Sequence, residues 1–220
     1  RTPKKSIRHE QFYISSLFIE VQNPNGLFKD SDTLTKNNIS VKLNGYNIQP
    51  ASIVRQILIR PGNLYSQREF ELSYSRLLDL SLFNIIDISF EKDTSAPDKN
   101  LLIARINLIP AERQAYSIEP QFITSEQNNQ VIIADQRTFG LANVLSYQNR
   151  NFFRGAETFD LKYRFSAETQ FNNNDSIRFF NTIQHNISAS IFFPKLWLLP
   201  KLQQSTKLRN AKTALTANYI

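Results

Sequence analysis

Thr158 to Phe171 reads TFDLKYRFSAETQF and alternates apolar with polar residues without a break. Phe159, Leu161, Tyr163, Phe165, Ala167 and Phe171 share one parity, with Thr169 the near-neutral member of their row. Asp160, Lys162, Arg164, Ser166, Glu168 and Gln170 share the other. Successive side chains of a strand point to opposite faces, so this is one strand with an apolar face and an ionic face. It is more than twice as long as a usual strand of about five or six residues. Such a strand fits a wall between lipid and a polar lumen better than a compact water-soluble core.

The surroundings repeat the pattern. From about Gln114 onward no helical period is present, and long strands are joined by polar turns. YSIEPQFIT (Tyr116 to Thr124) is the first strand, and TFGLANVLSYQ (Thr138 to Gln148) the second. The tight segment NRNFFRGAE (Asn149 to Glu157) leads into the third, the run quoted above, and NNND (Asn172 to Asp175) makes the turn after it. A fourth strand, Ser176 to Phe193, sets Ile177, Phe179, Ile183, Ile187, Ala189, Ile191 and Phe193 on one face. PKLWLLPKL interrupts it, and TALTANYI (Thr213 to Ile220) opens a fifth. An antiparallel barrel needs at least about eight strands to close. Five leave two raw edges, so these residues are expected to be a piece of a longer polypeptide.

Composition narrows the class. The 220 residues suffice for one large or two small domains. There is no Cys, which excludes disulfides and thiolate metal sites, and two His leave a zinc site only carboxylates to complete it. The absence of Met includes the initiator, so the N-terminus is expected to be internal to a precursor. No apolar h-region follows the basic Arg1 to His9, so no signal peptide is visible. The net charge is +7, with a pI of about 9.6. Lys and Arg are scattered along the chain, so the surplus reads as a solvated surface, with no nucleic-acid partner expected. No apolar window of about 18 residues exists, so there is no transmembrane helix. A mean hydropathy of −0.37 suits a barrel as well as a soluble protein, because alternation hides the apolar content of a barrel strand.

The first half of the chain has a different character. Gln11 to Gln22 is strand-like, Asn23 to Asn38 is polar and reads as loop, and Ile39 to Leu43 suits a short extra strand. Pro50 opens a helix with Ile53, Val54, Ile57 and Leu58 on one face. A second helix starts with Ser66 as N-cap and Glu69 three residues on, a capping box, while Tyr65 and Phe70 are placed for a hydrophobic staple. Phe70, Tyr74, Leu77 and Leu78 give it one apolar stripe, and it is expected to end near Ser81. Strands at Asn84 to Glu91 and Leu101 to Ile109 follow, joined by the turn DTSAPDKN. The expected order is β-α-α-β-β, an α+β module with a small core.

A β-α-α-β-β module followed by a membrane barrel resembles the BamA/TamA superfamily of outer-membrane assembly proteins, in which the module is a POTRA domain. RQILIRPGNLYSQREFELSYSRLLDLSLFNIIDISFEKD (Arg55 to Asp93) carries the POTRA resemblance. LIPAERQAYSIEPQ (Leu108 to Gln121) resembles the crossing into the barrel, YQNRNFFRGAE (Tyr147 to Glu157) the first periplasmic turn, and FFPKLWLLP (Phe192 to Pro200) the second. The wording is similar to the TamA-like (TamL) proteins of Bacteroidota. The resemblance implies a basic arm over residues 1–10, a POTRA-like periplasmic domain over 11–112, and the first five or so strands of an outer-membrane barrel over 113–220. Residues 23–47 depart from a minimal POTRA and read as an insertion.

The resemblance implies no catalytic residue, no cofactor and no metal, and Asp79, Asp87, Glu91 and Asp93 read as solvated turn and strand positions. It makes Tyr116, Ser117, Ile118, Glu119, Pro120, Gln121 and Phe122 the first barrel strand, at the lateral seam. Independently, Pro120 cannot donate to a ladder, so it belongs on an edge strand or at a bulge. An edge there could pair with a client strand by β-augmentation. Asn149, Arg150, Asn151, Arg154, Gly155 and Glu157 form the periplasmic turn, with Asn and Gly supplying unusual backbone angles. Its charged members could pair with the POTRA or with lipid headgroups. Phe152, Phe153, Phe192, Phe193 and Trp197 would belong to an aromatic girdle, and Lys162 and Arg164 would face the lumen. His185 falls on the apolar face of its strand, which suits a place near the interface or a partner contact. The POTRA edge strands are a second candidate docking surface.

The implied function is outer-membrane protein assembly, as an insertase or translocation-and-assembly component, by strand templating and without catalysis. Implied partners are nascent outer-membrane proteins, outer-membrane lipid and a TamB-like periplasmic or inner-membrane protein. The implied place is the outer membrane of a Gram-negative bacterium, with the POTRA in the periplasm. A BamA-type core subunit or a two-partner secretion transporter is the alternative within the superfamily. A soluble β-rich periplasmic binding protein is the alternative outside it.

Overall fold

A computed structural model describes residues 10–22, 33–95, 100–127, 136–171, 182–195 and 211–220. The described residues are mostly β-sheet with two helices, and the chain divides into two compact units. The first holds Arg1–Arg113 with Phe153–Ala156, and the second holds Gln114–Phe152 with Glu157–Ile220.

In the first unit the strands are β1 (Tyr13–Val21), β2 (Thr33–Lys36), β3 (Ile39–Lys42), β4 (Phe83–Lys92) and β5 (Leu101–Pro110). The helices are α1 (Pro50–Val54) and α2 (Gln67–Leu78). The sheet order is β2-β3-β1-β5-β4. β1 runs parallel to both β3 and β5, while β2–β3 and β4–β5 are antiparallel. Alternation puts Leu17, Ile19 and Val21 of β1 and Ala104, Ile106 and Leu108 of β5 on one face, all but inaccessible to solvent. Ile53 of α1, Leu77 of α2, and Ile57 and Ile59 join the same core cluster. Full burial of one such aliphatic side chain stabilises by about 1.5–3 kcal/mol.

Several details differ from the sequence expectation. The polar stretch before Ile39 contains a strand, β2, whose four residues are all exposed. Asn37 and Asn38, both at positive φ (52° and 59°), turn β2 back into β3, the backbone a two-residue hairpin of the primed type needs. α1 spans only five residues, and Ile57 reaches the core from the segment after it. Ser66 precedes α2 in extended conformation but makes no side-chain cap bond, so the capping box is not formed. Tyr65 and Phe70 both meet the ring of Phe90, at 4.9 and 6.1 Å between centroids. The stripe of α2 is rotated from the expected one: Ser73 and Leu77 are buried while Tyr74 and Leu78 are exposed. Ser73 is satisfied there, donating to the Glu69 carbonyl (2.6 Å) and accepting from the Leu58 N–H (2.8 Å). α2 ends at Leu78, and Ser81 takes a left-handed conformation (φ 55°) before β4.

The second unit is a meander of β6 (Gln114–Gln127), β7 (Gln136–Arg150), β8 (Thr158–Phe171), β9 (Thr182–Phe193) and β10 (Thr213–Tyr219). The order is β10-β9-β8-β7-β6, each strand antiparallel to the next in sequence. β8 has the bounds expected from its alternation, and β6 and β7 run a few residues longer than expected. The expected beginning of the fourth strand, with Ile177 and Phe179, the NNND turn, the basic arm through His9 and the start of the insertion (residues 23–32) lie outside the described residues.

Candidate membrane face and open strand edges

In the second unit the alternation of β8 extends across five strands. Leu161 pairs with Tyr147 and Ala189, Tyr163 with Leu145 and Ile187, and Ala167 with Leu141 and Ile183. β6 adds Tyr116, Ile118 and Phe122 to the same rows, while β10 adds Tyr219 to the Tyr163 row and sets Leu215 beside Ile191 in the row of Phe159. Many of these apolar side chains are exposed, Tyr116, Ile118 and Phe122 by 73%, 69% and 80%. Lys162 and Arg164 fall on the opposite, polar face, in register with Ser146 and Val144 on β7 and Ser188 and Asn186 on β9. A soluble sheet with one hydrated face buries its other face, whereas this one leaves its apolar face open.

One row breaks the apolar pattern. Pro120, Asn143, Phe165 and His185 lie side by side on β6 to β9. The Tyr163 hydroxyl and His185 Nδ1 are 2.8 Å apart. Asn143 Oδ1 is buried with no hydrogen-bond partner. On the polar face Gly140 gives room to Glu168, because a Cβ at 140 would stand 2.7 Å from Glu168 Cγ. An open depression of about 240 Å³ on that face brings Glu119 and Lys162 near Asp160, which accepts from Gln148 Nε2 at 2.8 Å. Among the described residues no group of three or more His, Asp or Glu is placed to hold a metal. No helix among them is long and apolar enough to cross a membrane.

The seven residues from Tyr116 to Phe122 all lie in β6, an outer strand of the sheet among the described residues. The register between β6 and β7 is one-to-one throughout, so Pro120 sits on an edge strand and not at a bulge. Asn149 and Arg150 end β7. The left-handed backbone angles of the following turn fall on Asn151, Arg154 and Ala156 (φ 67°, 67° and 69°) and not on Gly155. The Phe152 N–H donates to the Glu157 carbonyl at 2.9 Å. Phe153–Ala156 belongs to the first unit, where the Gln49 N–H donates to the Arg154 carbonyl (2.8 Å) and Ala156 is part of the core.

The aromatic residues separate. Phe152 meets Phe159 (5.1 Å), which meets Tyr147 (6.3 Å), which meets Tyr116 (5.0 Å), a chain of rings across three strands. Sequence reasoning missed Phe159, Tyr147 and Tyr116 as members of one cluster, although the parity of the apolar rows contained the signal. Phe192 pairs with Thr158 and shares the parity of the polar row, whereas Phe193 is buried. Trp197 lies outside the described residues.

The edges of the first unit are unequal. β4 has β5 on one side and, among the described residues, no strand on the other. The opposite edge belongs to the β2–β3 hairpin. Asn44, itself buried in a left-handed conformation, donates to the Val21 carbonyl and to Glu20 Oε1 (3.1 and 3.0 Å), and Lys42 pairs with Glu20 at 3.2 Å. The Asn44 hydrogen bond, together with Lys42, holds the Glu20 carboxyl below its ordinary range against the opposing effect of burial. Asp93, at the end of β4, is also lowered, by hydrogen bonds from Ser15 and Ser95.

No family model and no curated protein matches the chain. Among solved structures it is similar to POTRA domains 1–3 of the periplasmic domain of Omp85 from Anabaena, at 15% identity over 46% of this chain and 35% of that one, with a TM-score of 0.33. It is also similar to BamA from Haemophilus ducreyi lacking POTRA domains 1–3, at 9% identity over 86% of this chain and 40% of that one, with a TM-score of 0.35. The chain thus spans well under half the length of either structure.

Proposed function

We propose that the chain is part of an outer-membrane protein assembly factor of the BamA/TamA superfamily, with the first unit as a periplasmic POTRA domain and the second as the opening strands of a membrane barrel. The observation that carries this reading is the open apolar face of β6 to β10, continuous over five strands and backed by a polar face. Lipid is the solvent that such a face suits, and a polar lumen suits the other. Assembly would proceed by strand templating at the β6 edge, with client or partner segments held at the POTRA edges and no catalysis. Clients would be nascent outer-membrane proteins, and a TamB-like protein would be the periplasmic or inner-membrane partner. The TamA-like role in Bacteroidota rests on the wording of the RGAE turn and the PAERQ crossing.

These 220 residues contain no Cys, so a Cys introduced among them can be followed by labelling. Single Cys substitutions at Leu161 and Phe165, and at Lys162 and Arg164, are labelled with a water-soluble maleimide in intact outer membranes. The even positions are expected to react and the odd ones to be protected. Equal labelling, or full recovery of the protein from cells without detergent, defeats the membrane reading. For the assembly role, depletion is expected to lower the level of folded barrel proteins in the outer membrane, and unchanged levels defeat it.

A further inference from the structure

We infer that the turn between β7 and β8 is a latch built into the first unit, so that the stability of that unit's core and the formation of the β7–β8 hairpin depend on each other. This coupling lies outside the proposed assembly role and holds with or without it.

The backbone of the turn is held from outside the turn. Asn151, Arg154 and Ala156 take left-handed angles (φ 67°, 67° and 69°). Asn adopts that region readily, but Arg and Ala are strained in it, because their Cβ crowds the carbonyl oxygen. Gly155 stands between the two and could take a left-handed angle without strain, yet it is not among the residues that do. Strain of this kind persists where the surrounding structure over-determines the backbone. Inside the turn, the Phe152 N–H donates to the Glu157 carbonyl (2.9 Å), which closes the loop and leaves the Arg154 carbonyl to another donor.

The first unit supplies that donor and a seat. Phe153–Ala156 falls within this unit, and its Gln49 N–H donates to the Arg154 carbonyl at 2.8 Å. Ala156 is 3% exposed. It belongs to one core cluster with Ile48 and Ile53, on either side of Gln49 in sequence, and with Ile19 of β1 and Ile106 of β5. Gly155 is buried as well, whereas Phe153 and Arg154 are exposed. The latch is therefore a carbonyl and a methyl group. A charged side chain at 156 cannot stay in a close-packed apolar core, so either the core opens or the turn leaves it. Coupling between two such places is reciprocal. A fault at Ala156 is felt in β1 and β5, and a fault at Gln49 is felt in the turn. The first unit reaches full stability only once the hairpin has formed.

Amide hydrogen exchange on the full chain in detergent micelles tests this. Ala156→Asp is expected to speed exchange at Ile19 and Ile106 by about tenfold or more, and Phe153→Asp, in the same turn, by less than about twofold. Should the Asp variant fail to fold, Ala156→Ser is measured in its place, with an increase of about two- to five-fold expected. Gln49→Pro removes the donor while keeping the backbone, since φ at Gln49 is already −70°. It is expected to speed exchange of the Phe152 amide by about three- to ten-fold. At Ile106, the changes at 49 and 156 combined are expected to give less than the product of their separate effects, because either one opens the latch. Unchanged exchange at Ile19 and Ile106 in the variants at 156, loss of protection confined to β7 and β8, an unmoved Phe152 amide in Gln49→Pro, or fully multiplicative effects each overturn the inference.

Discussion

Pro120 on β6 stands directly opposite Asn143 on β7 in an unbroken antiparallel register. A proline inside a sheet removes a ladder bond, so an outer strand is where it is tolerated, and β6 is such a strand. Asn143 lies one strand inward, on the apolar face, with a buried oxygen that has no partner. An unsatisfied buried polar group costs about 1–3 kcal/mol, and replacement by an apolar residue of similar shape removes that cost. Asn143→Leu is therefore expected to leave stability unchanged or raise it. Urea unfolding of the detergent-folded chain measures this, and a loss of stability would mean that the amide has a partner in the folded protein.

Gly140 is expected to tolerate no side chain. An added Cβ would come within 2.7 Å of Glu168 Cγ and 3.0 Å of the Ala167 carbonyl oxygen. The glutamate can move, but the carbonyl belongs to the ladder. Gly140→Ala should cost about 1–3 kcal/mol, as overpacking does. Adding Glu168→Ala should recover only part of the loss. Full recovery would mean that the backbone contact is harmless.

These two sites mark how far the sequence could be read. β8 was legible to the residue because its alternation is long and its two faces differ sharply. β2 was not, because TLTK has no buried face and leaves no periodic signal. Its clue was the Asn37–Asn38 pair, which suits a primed turn. α2 was legible as a helix, but Ser73 and Leu77 turn inward where Phe70, Tyr74, Leu77 and Leu78 form the apolar stripe, because a buried Ser satisfied by Glu69 and Leu58 is invisible to a hydrophobic count. In the turn after β7, composition pointed to Asn and Gly for the unusual angles; Asn151 takes one, but the others fall on Arg154 and Ala156 and not on Gly155. Pairing across the register, which no local pattern carries, is what placed Pro120 on an edge.

The rotated face of α2 has a measurable consequence. Leu77 is fully buried and Leu78 is 47% exposed, although they are neighbours in sequence. Leu77→Ala should destabilise the first unit by about 2–5 kcal/mol. Leu78→Ala should change it by less than about 0.5 kcal/mol. Amide hydrogen exchange in β5 is the readout, and equal loss of protection in the two variants would contradict the packing.

Glu20 links the hairpin to pH. Its carboxyl titrates below the ordinary value of 4.5, first through the Asn44 hydrogen bond and then through Lys42. A carboxyl lowered in the folded state stabilises above its unfolded value, and that contribution is lost as pH falls through the folded value. The attachment of β3 to β1 should thus weaken below about pH 4.5. The effect is small, under about 1 kcal/mol, because both charged side chains are nearly half exposed. Asn44→Ala should move the Glu20 titration upward, read directly by carbon NMR of the carboxyl. An unmoved titration would show that Asn44 is not the principal cause.

The β6 edge gives the last expectation. Ser117, Glu119 and Gln121 share one parity of this strand, and Ile118, Pro120 and Phe122 the other, with no neighbour beyond them among the described residues. If clients are templated here, a crosslinker carried in turn at each position from 117 to 121 should capture a stalled substrate barrel. Register makes the expectation sharper than capture alone. Partners captured from successive positions should step along the client strand one residue at a time, in the opposite direction for antiparallel pairing. A client that touches the edge without pairing would give scattered partners with no step. Capture only of the protein's own closing strand would mean that β6 seals the barrel and that clients are handled elsewhere.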